Sequence, residues 1–165
     1  MPELTITKSG ILDLLLQLDV KKPQGLDEIF NGFFKRYATQ LTAFLHKIFF
    51  LSLETAVLPD DWLGAKVIPI HKSGNKQLIN TYRPISLTST CCKLMEHIIN
   101  KALMNYLEEN NLFYPNQHGF RRKLSTATQL LEITHDFDLA INSRLQIGAI
   151  FIDFSKAFDR VLHSL

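Results

Sequence analysis

At 165 residues, 46% apolar and 21% charged, the chain can bury one ordinary core or two small ones, and wholesale disorder is excluded. No apolar run reaches the roughly 18–20 residues of a membrane span, because Asp13, Asp19, His46 and Lys47 interrupt the best candidates, and Met1-Pro2-Glu3-Leu4 lacks the pattern of a signal peptide. The net charge of +2 conceals a basic middle: residues 62–123 carry nine Lys/Arg against three Asp/Glu, while 1–61 and 124–165 each stand at −2. That middle reads either as a local surface for polyanions or as a solvated face.

Residues 9–18 predict a short helix, with Ser9 as its N-cap and Ile11, Leu15 and Leu18 on one face. Pro23-Gln24-Gly25 is turn chemistry. From Ile29 apolar residues recur at helical spacing: Phe30, Phe33/Phe34, Tyr37, Leu41, Phe44/Leu45, Ile48 and Leu51. Gly32 is the expected break in this stretch and Pro59 its end, and the aromatic stripe reads as core. Ala65 to His71 is short and β-rich, and Pro69 suits an edge strand. Ser73-Gly74-Asn75 turns, and Tyr82 to Leu87 returns as the partner strand.

Ser89 caps a helix carrying Leu94, Ile98, Ala102 and Leu107, which Asn110-Asn111 ends. Cys91 and Cys92 are the only cysteines, adjacent and without metal-ligand spacing, so neither a disulfide framework nor a structural zinc site is expected. A reducing intracellular setting, nucleus or cytoplasm and not secreted, fits them. A loop follows from Pro115 to Arg122. Ser125 caps the next helix, with Leu130/Leu131, Thr134, Phe137 and Ile141 on one side. Residues 147–153, Ile-Gly-Ala-Ile-Phe-Ile-Asp, predict a strand buried on both faces and so central in a sheet. Helices and strands without strict alternation indicate an α+β fold.

An apolar strand ending in a carboxylate is the most informative local feature. Asp153 would emerge where pairing stops, and such a carboxylate suits Mg²⁺ alongside phosphate oxygens. A helix N-cap is the other reading of Asp153. With its neighbours, Phe151-Ile152-Asp153-Phe154-Ser155-Lys156-Ala157-Phe158-Asp159-Arg160-Val161, the segment resembles motif A of the reverse transcriptases of non-LTR, LINE-type retrotransposons, the jockey-like branch above all. The resemblance runs through nearly the whole chain. Trp62, Ala65, Val67, Pro69, Lys72 and Gly74, then Tyr82-Arg83-Pro84-Ile85-Ser86-Leu87, match the family's fingers. Lys93-Leu94-x-Glu96 and Gln117-His118-Gly119-Phe120-Arg121 with Ser125-Thr126 continue in order.

The resemblance implies helix-rich fingers and the first palm strand of a right-hand polymerase, truncated before the catalytic Ala-Asp-Asp turn. Residues 1–61 would be an N-terminal helical extension, 62–143 the fingers and 144–165 the start of the palm. It implies that Asp153 binds catalytic Mg²⁺ with help from the Phe154 carbonyl, and that amides near Lys156 and Ala157 hold the triphosphate. Phe158 would exclude a 2′-hydroxyl by bulk. Lys72 and Arg83 would clamp the β- and γ-phosphates, as point charge and fork. Gln117, Gly119, Phe120 and Arg121 would lie along the template, with Arg122 and Lys123 completing a basic cluster. The implied partners are an RNA template, a DNA primer and deoxynucleoside triphosphates, with no membrane.

Local readings stay open beside these. Lys72 could be solvated, Arg83 could pair with a nearby carboxylate, and Gln117, Gly119 and Phe120 could form a structural loop. Asp159 reads as a helix brace, and His71, His97 and His118, without ligand spacing, as structural. Where the family has Gly-Pro-Asp-Gly-Ile-Pro, this chain has Gly25-Leu26-Asp27-Glu28-Ile29-Phe30, and Leu162 stands where Pro is common. The Ala-Asp-Asp turn, a glycine-containing template grip, a thumb and an upstream endonuclease are all missing, so Met1 need not be a true start. Two-metal transfer needs several carboxylates, and Asp153 alone is too few. The chain by itself is therefore expected to be inactive, its apolar strand prone to self-association. A residual nucleic-acid-binding module is the alternative. A phosphatase using Asp153 as nucleophile would want a second carboxylate where Ser155 stands.

Overall fold

Thr7, not Ser9, opens the first helix. Thr7 is extended (φ −109°, ψ 146°) and its hydroxyl accepts from the Gly10 amide at 3.1 Å, while the Ser9 hydroxyl donates to Thr7 Oγ1. Helix α1 then spans Lys8–Leu16. The computed structural model describes residues 4–154, 157, 160 and 161. It comprises two compact units, Met1–Leu112 and Phe113–Leu165.

In the first unit, α2 (Asn31–Arg36) and α3 (Ala38–Thr55) meet at Tyr37. The break lies five residues beyond the Gly32 expected from sequence. Gly32 falls in the first turn of α2, where a helix tolerates it, whereas Tyr37 leaves helical geometry at φ −106°, ψ 26°. Helix α3 ends before Pro59, at Ala56, which takes the left-handed conformation (φ 54°) while Ser52 Oγ donates to Val57 O at 2.7 Å. Its buried stripe is Ala38, Thr42, Leu45, Phe49 and Ser52. Phe44, Ile48 and Leu51 of the expected stripe are exposed. The helix carries apolar residues around most of its circumference, so periodicity alone does not select the buried face.

A short α4 (Asp60–Leu63) brings Trp62 against Phe49, ring centroids 5.7 Å apart and edge to face. Strands β1 (Lys66–His71) and β2 (Tyr82–Leu87) pair antiparallel, with Ile70 opposite Arg83 and His71 opposite Tyr82. Ser89 caps α5 (Thr90–Glu109) as expected, its hydroxyl accepting from Cys92 N at 3.1 Å. Asn110 and the left-handed Asn111 end the helix, with Leu112 N returning to Leu107 O. The core joins Ile11 and Leu15 of α1, Phe34 of α2, Ala38, Leu45 and Phe49 of α3, and Leu94 and Met95 of α5.

One buried polar chain ties the turns to this core. Thr90 Oγ1 donates to Asn31 Oδ1 at 2.8 Å, and Asn31 Nδ2 donates to Asp19 O at 2.8 Å. Gly25 lies so close to the backbone of Thr88 that a Cβ would sit 2.5 Å from its carbonyl oxygen. Three residues on, Glu28 holds φ 55°. An L side chain in this left-handed geometry strains the backbone by about 1–2 kcal/mol. Glu28→Gly should therefore raise stability by up to about 1 kcal/mol, part of the relief being offset by the greater freedom of the unfolded chain. Urea unfolding would read this, and an unchanged or lower midpoint would argue against strain.

In the second unit, Ser125 caps α6 (Thr126–Asn142) in a reciprocal box with Thr128. No residue of α6 is buried. The buried central strand expected over 147–153 is not formed: residues 147–154 carry no regular structure, and Phe151 is 96% exposed. A strand needs a neighbour to satisfy its N–H and C=O groups. Here β1 and β2 pair only with each other, and no third strand is present among the described residues. Helices with one small antiparallel sheet make the chain α+β. No described helix is long and apolar enough to cross a membrane.

Candidate functional site

Lys72 and Arg83 lie at the loop end of the hairpin. The Lys72 amide donates to Thr81 O at 2.8 Å, carrying the ladder one step past β1. Opposed residues share a face and alternate residues return to it, so Ile70, Lys72 and Arg83 are placed on one side. Lys72 and Arg83 are then diagonal neighbours, a relation that usually spans about 7–8 Å. Both are exposed. An ammonium and a guanidinium so spaced can engage two phosphate groups of one chain.

The turn below them is braced. Gly74 takes φ 85°, and Thr81 Oγ1 lies 2.9 Å from Asn75 O and 2.6 Å from Leu78 O. Tyr82 Oη donates to Lys76 O at 2.9 Å. His71 Nε2 lies 3.2 Å from Gly74 O, its ring edge-on to Tyr82. These contacts tie His71 into the hairpin turn. The same face is otherwise apolar, with Ile70 opposite Arg83 and the Ile68–Ile85 pair beyond it exposed.

In the second unit, 117–123 is an irregular loop before α6. Arg121 lies over the Phe113 ring at 5.0 Å, while Arg122 and Lys123 are exposed. Phe120 and Lys123 hold left-handed backbones, φ 62° and 63°, and Phe120 is 91% exposed. Gln117 Nε2 donates to Gly119 O at 3.3 Å. His118 fixes the loop to α6: Nδ1 lies 2.8 Å from Thr128 Oγ1 and Nε2 2.6 Å from Glu132 Oε2. Phe113, Thr128 and Glu132 escaped the motif reading. Ser125-x-x-Thr128 was a visible capping signal, and Glu132 lies one turn further on the same face.

Asp153 and Phe154 are exposed on the irregular 147–154 segment, and Ala157 is exposed in a turn. The expectations for Lys156, Phe158 and Asp159 fall outside the described residues. No group of three or more His, Cys, Asp or Glu side chains gathers among the described residues. One aspartate and one carbonyl do not make an octahedral Mg²⁺ site, so these residues do not fit the ion by themselves. A groove of about 420 Å³ lies between residues 4–17 and α5 and is lined by Asp13, His97 and Lys101 among others. None of the motif residues lines it.

Both cysteines are free thiols with their protons held tightly. Burial, then the Asp27 carboxylate, pushes Cys91 up to about 12. Burial, then Glu96, which accepts from Cys92 Sγ at 3.4 Å, pushes Cys92 up to about 11. Alkylation at pH 8 should run at least about 100-fold slower in the folded chain than in urea. Each thiol binds its proton more tightly folded than unfolded, against the ordinary 9.0. Their contribution is therefore complete below pH 9 and falls as pH rises through about 11 to 12. Equal alkylation rates in native and urea-unfolded protein would contradict this burial.

Residues 70–165 match the reverse transcriptase (RNA-dependent DNA polymerase) family. The chain belongs to that family. Across 99% of its length it is 32% identical to a probable RNA-directed DNA polymerase from transposon BS of Drosophila melanogaster. It is 31% identical, again over 99%, to the RNA-directed DNA polymerase from mobile element jockey of the same species. Over 65% of the chain it is 27% identical to a retrovirus-related Pol polyprotein from the type-1 retrotransposable element R2 of Popillia japonica. The jockey-like resemblance read from the motifs thus holds along the whole chain. The chain spans 18% of the length of the transposon BS and jockey proteins.

Proposed function

We propose that this chain is the part of an RNA-directed DNA polymerase that receives the incoming deoxynucleoside triphosphate and the RNA template, and that it supplies one metal-binding carboxylate. The observation that carries the reading is the family match over 70–165, which includes Lys72, β2 with Arg83, the 117–123 loop and Asp153. Residues 1–61 are read as a helical extension, 62–143 as fingers and 144–165 as the start of the palm.

On this reading Lys72 and Arg83 hold the β- and γ-phosphates from one face of the hairpin. Arg121, Arg122 and Lys123 neutralise template phosphates, with Gln117, Gly119 and Phe120 beside them. Asp153 would be one of the residues that hold Mg²⁺, with carboxylates from the rest of the polymerase, and Phe154, Lys156, Ala157 and Phe158 would adjoin the nucleotide. The reaction is attack of a primer 3′-hydroxyl on the α-phosphorus with loss of pyrophosphate. A bound ion would supply positive charge toward the phosphate oxygens. Because a single carboxylate cannot hold two such ions, residues 1–165 assayed alone should incorporate no nucleotide.

Binding is the activity this segment should retain, and the exposed Arg122 and Lys123 favour it as a second, non-catalytic reading. RNA affinity should fall with salt at about −0.7 per phosphate neutralised in log K against log salt. Arg122→Glu with Lys123→Glu should lower both affinity and slope. Anisotropy titration of a labelled RNA across a salt series measures both. Salt-independent binding, or a double variant equal to the parent, would leave the basic region as a solvated face.

A further inference from the structure

The 117–123 loop has an energetic problem that its own sequence does not solve. Two of its non-glycine residues, Phe120 and Lys123, hold left-handed backbones, which L side chains disfavour. Phe120, Arg122 and Lys123 face solvent, while Arg121 packs over the Phe113 ring. Hydrogen bonds at the loop's entry include Gln117 N to Tyr114 O and Gln117 Nε2 to Gly119 O. Such a segment keeps one shape only if both ends are fixed.

His118 reaches α6 through side-chain hydrogen bonds at both ring nitrogens. Its side chain is only 10% exposed. Glu132 as a carboxylate can only accept, so Nε2 carries a proton toward it. Nδ1 meets the Thr128 hydroxyl, which also accepts from the Ser125 amide at 2.8 Å and lies 2.8 Å from the Ser125 carbonyl. One hydroxyl therefore joins the entry of the loop, His118, to its exit, Ser125. Thr128 and Glu132 are four residues apart on one face of α6, so the imidazole spans a full turn.

We propose that His118 is a positioning residue for nucleic-acid binding: it latches 117–123 to α6 and so presents Phe120, Arg122 and Lys123 in one arrangement. This rests on the reading of that loop as template-facing. The latch removes the ordering cost that a free loop would pay on meeting a strand. It gives His118 a role in binding although it donates no charge to the ligand.

Anisotropy titration of the full chain with a labelled single-stranded RNA, over a salt series, tests it with four variants. His118→Ala should weaken binding about tenfold and flatten the salt slope, with the cations themselves intact. His118→Gln, which can still donate to Glu132, should restore most of the loss. Glu132→Gln keeps an acceptor for Nε2 and removes a negative charge, so affinity should hold or rise. Arg122→Glu with Lys123→Glu is the control for the loop itself. Amide exchange along α6 separates loss of the latch from loss of the helix; where the alanine variant unfolds α6, the glutamine and Glu132→Gln variants carry the comparison. Loss of binding in the charge variant with none in His118→Ala would overturn the latch and leave the template-facing reading standing. A loss in His118→Ala that glutamine does not restore would overturn it equally. Absence of salt-dependent binding in the parent chain would overturn both.

Discussion

Phe49→Ala should destabilise the first unit by about 3–5 kcal/mol, while Phe44→Ala, five residues away on the same helix, should cost less than about 1 kcal/mol. Phe49 is 0% exposed and Phe44 69% exposed. Phe49 packs edge to face on Trp62 and sits in the cluster that joins α1, α3 and α5. Removing its ring leaves a cavity that a close-packed interior fills only in part. A domain of this size is stable by about 5–15 kcal/mol, so the loss is a large share of the total. Trp62 is the chain's single tryptophan and lies against the altered ring, so its emission in a urea titration reports the transition directly. Equal midpoints for the two variants would mean that α3 turns a different face to the core.

That comparison bears on what could be read from the sequence. Ser89 and Ser125 were legible as caps because capping is local chemistry: a hydroxyl, an amide three residues on, and a helix that follows. The hairpin was legible because Ser73-Gly74-Asn75 supplies its turn between two β-rich runs. The face of α3 was not, since Phe44, Ile48 and Leu51 are as apolar as Leu45 and Phe49, and only contact with α1 and α5 chooses among them. The strand expected over 147–153 failed for a related reason. A run of β-branched and aromatic residues states what a strand is made of, not what pairs with it. Those residues find no partner strand here, and Phe151 stands in solvent.

The candidate site divides along the same line. Motif order named Lys72, Arg83, the 117–123 loop and Asp153 without any contact information. The hairpin register added that Lys72 and Arg83 share a face. What holds the loop was hidden, because His118, Thr128 and Glu132 are ten and fourteen residues apart from first to last and meet only once α6 has formed. Glu28 lies between these cases: its departure from the resembled motif is readable in the sequence, while its left-handed backbone is a structural fact.

On the proposed function, this chain is the nucleotide- and template-receiving part of an RNA-directed DNA polymerase, and Asp153 would hold its metal. Replacing the matching segment of the jockey polymerase with residues 1–165, aligned over 99% of this chain, tests that most directly. The chimera should extend a DNA primer on an RNA template with Mg²⁺. Asp153→Asn should then lower the rate by at least about 10²–10³-fold, because the amide cannot balance the charge of the ion. A chimera that folds yet extends nothing, or one that extends as fast with Asp153→Asn as without it, would contradict the claim.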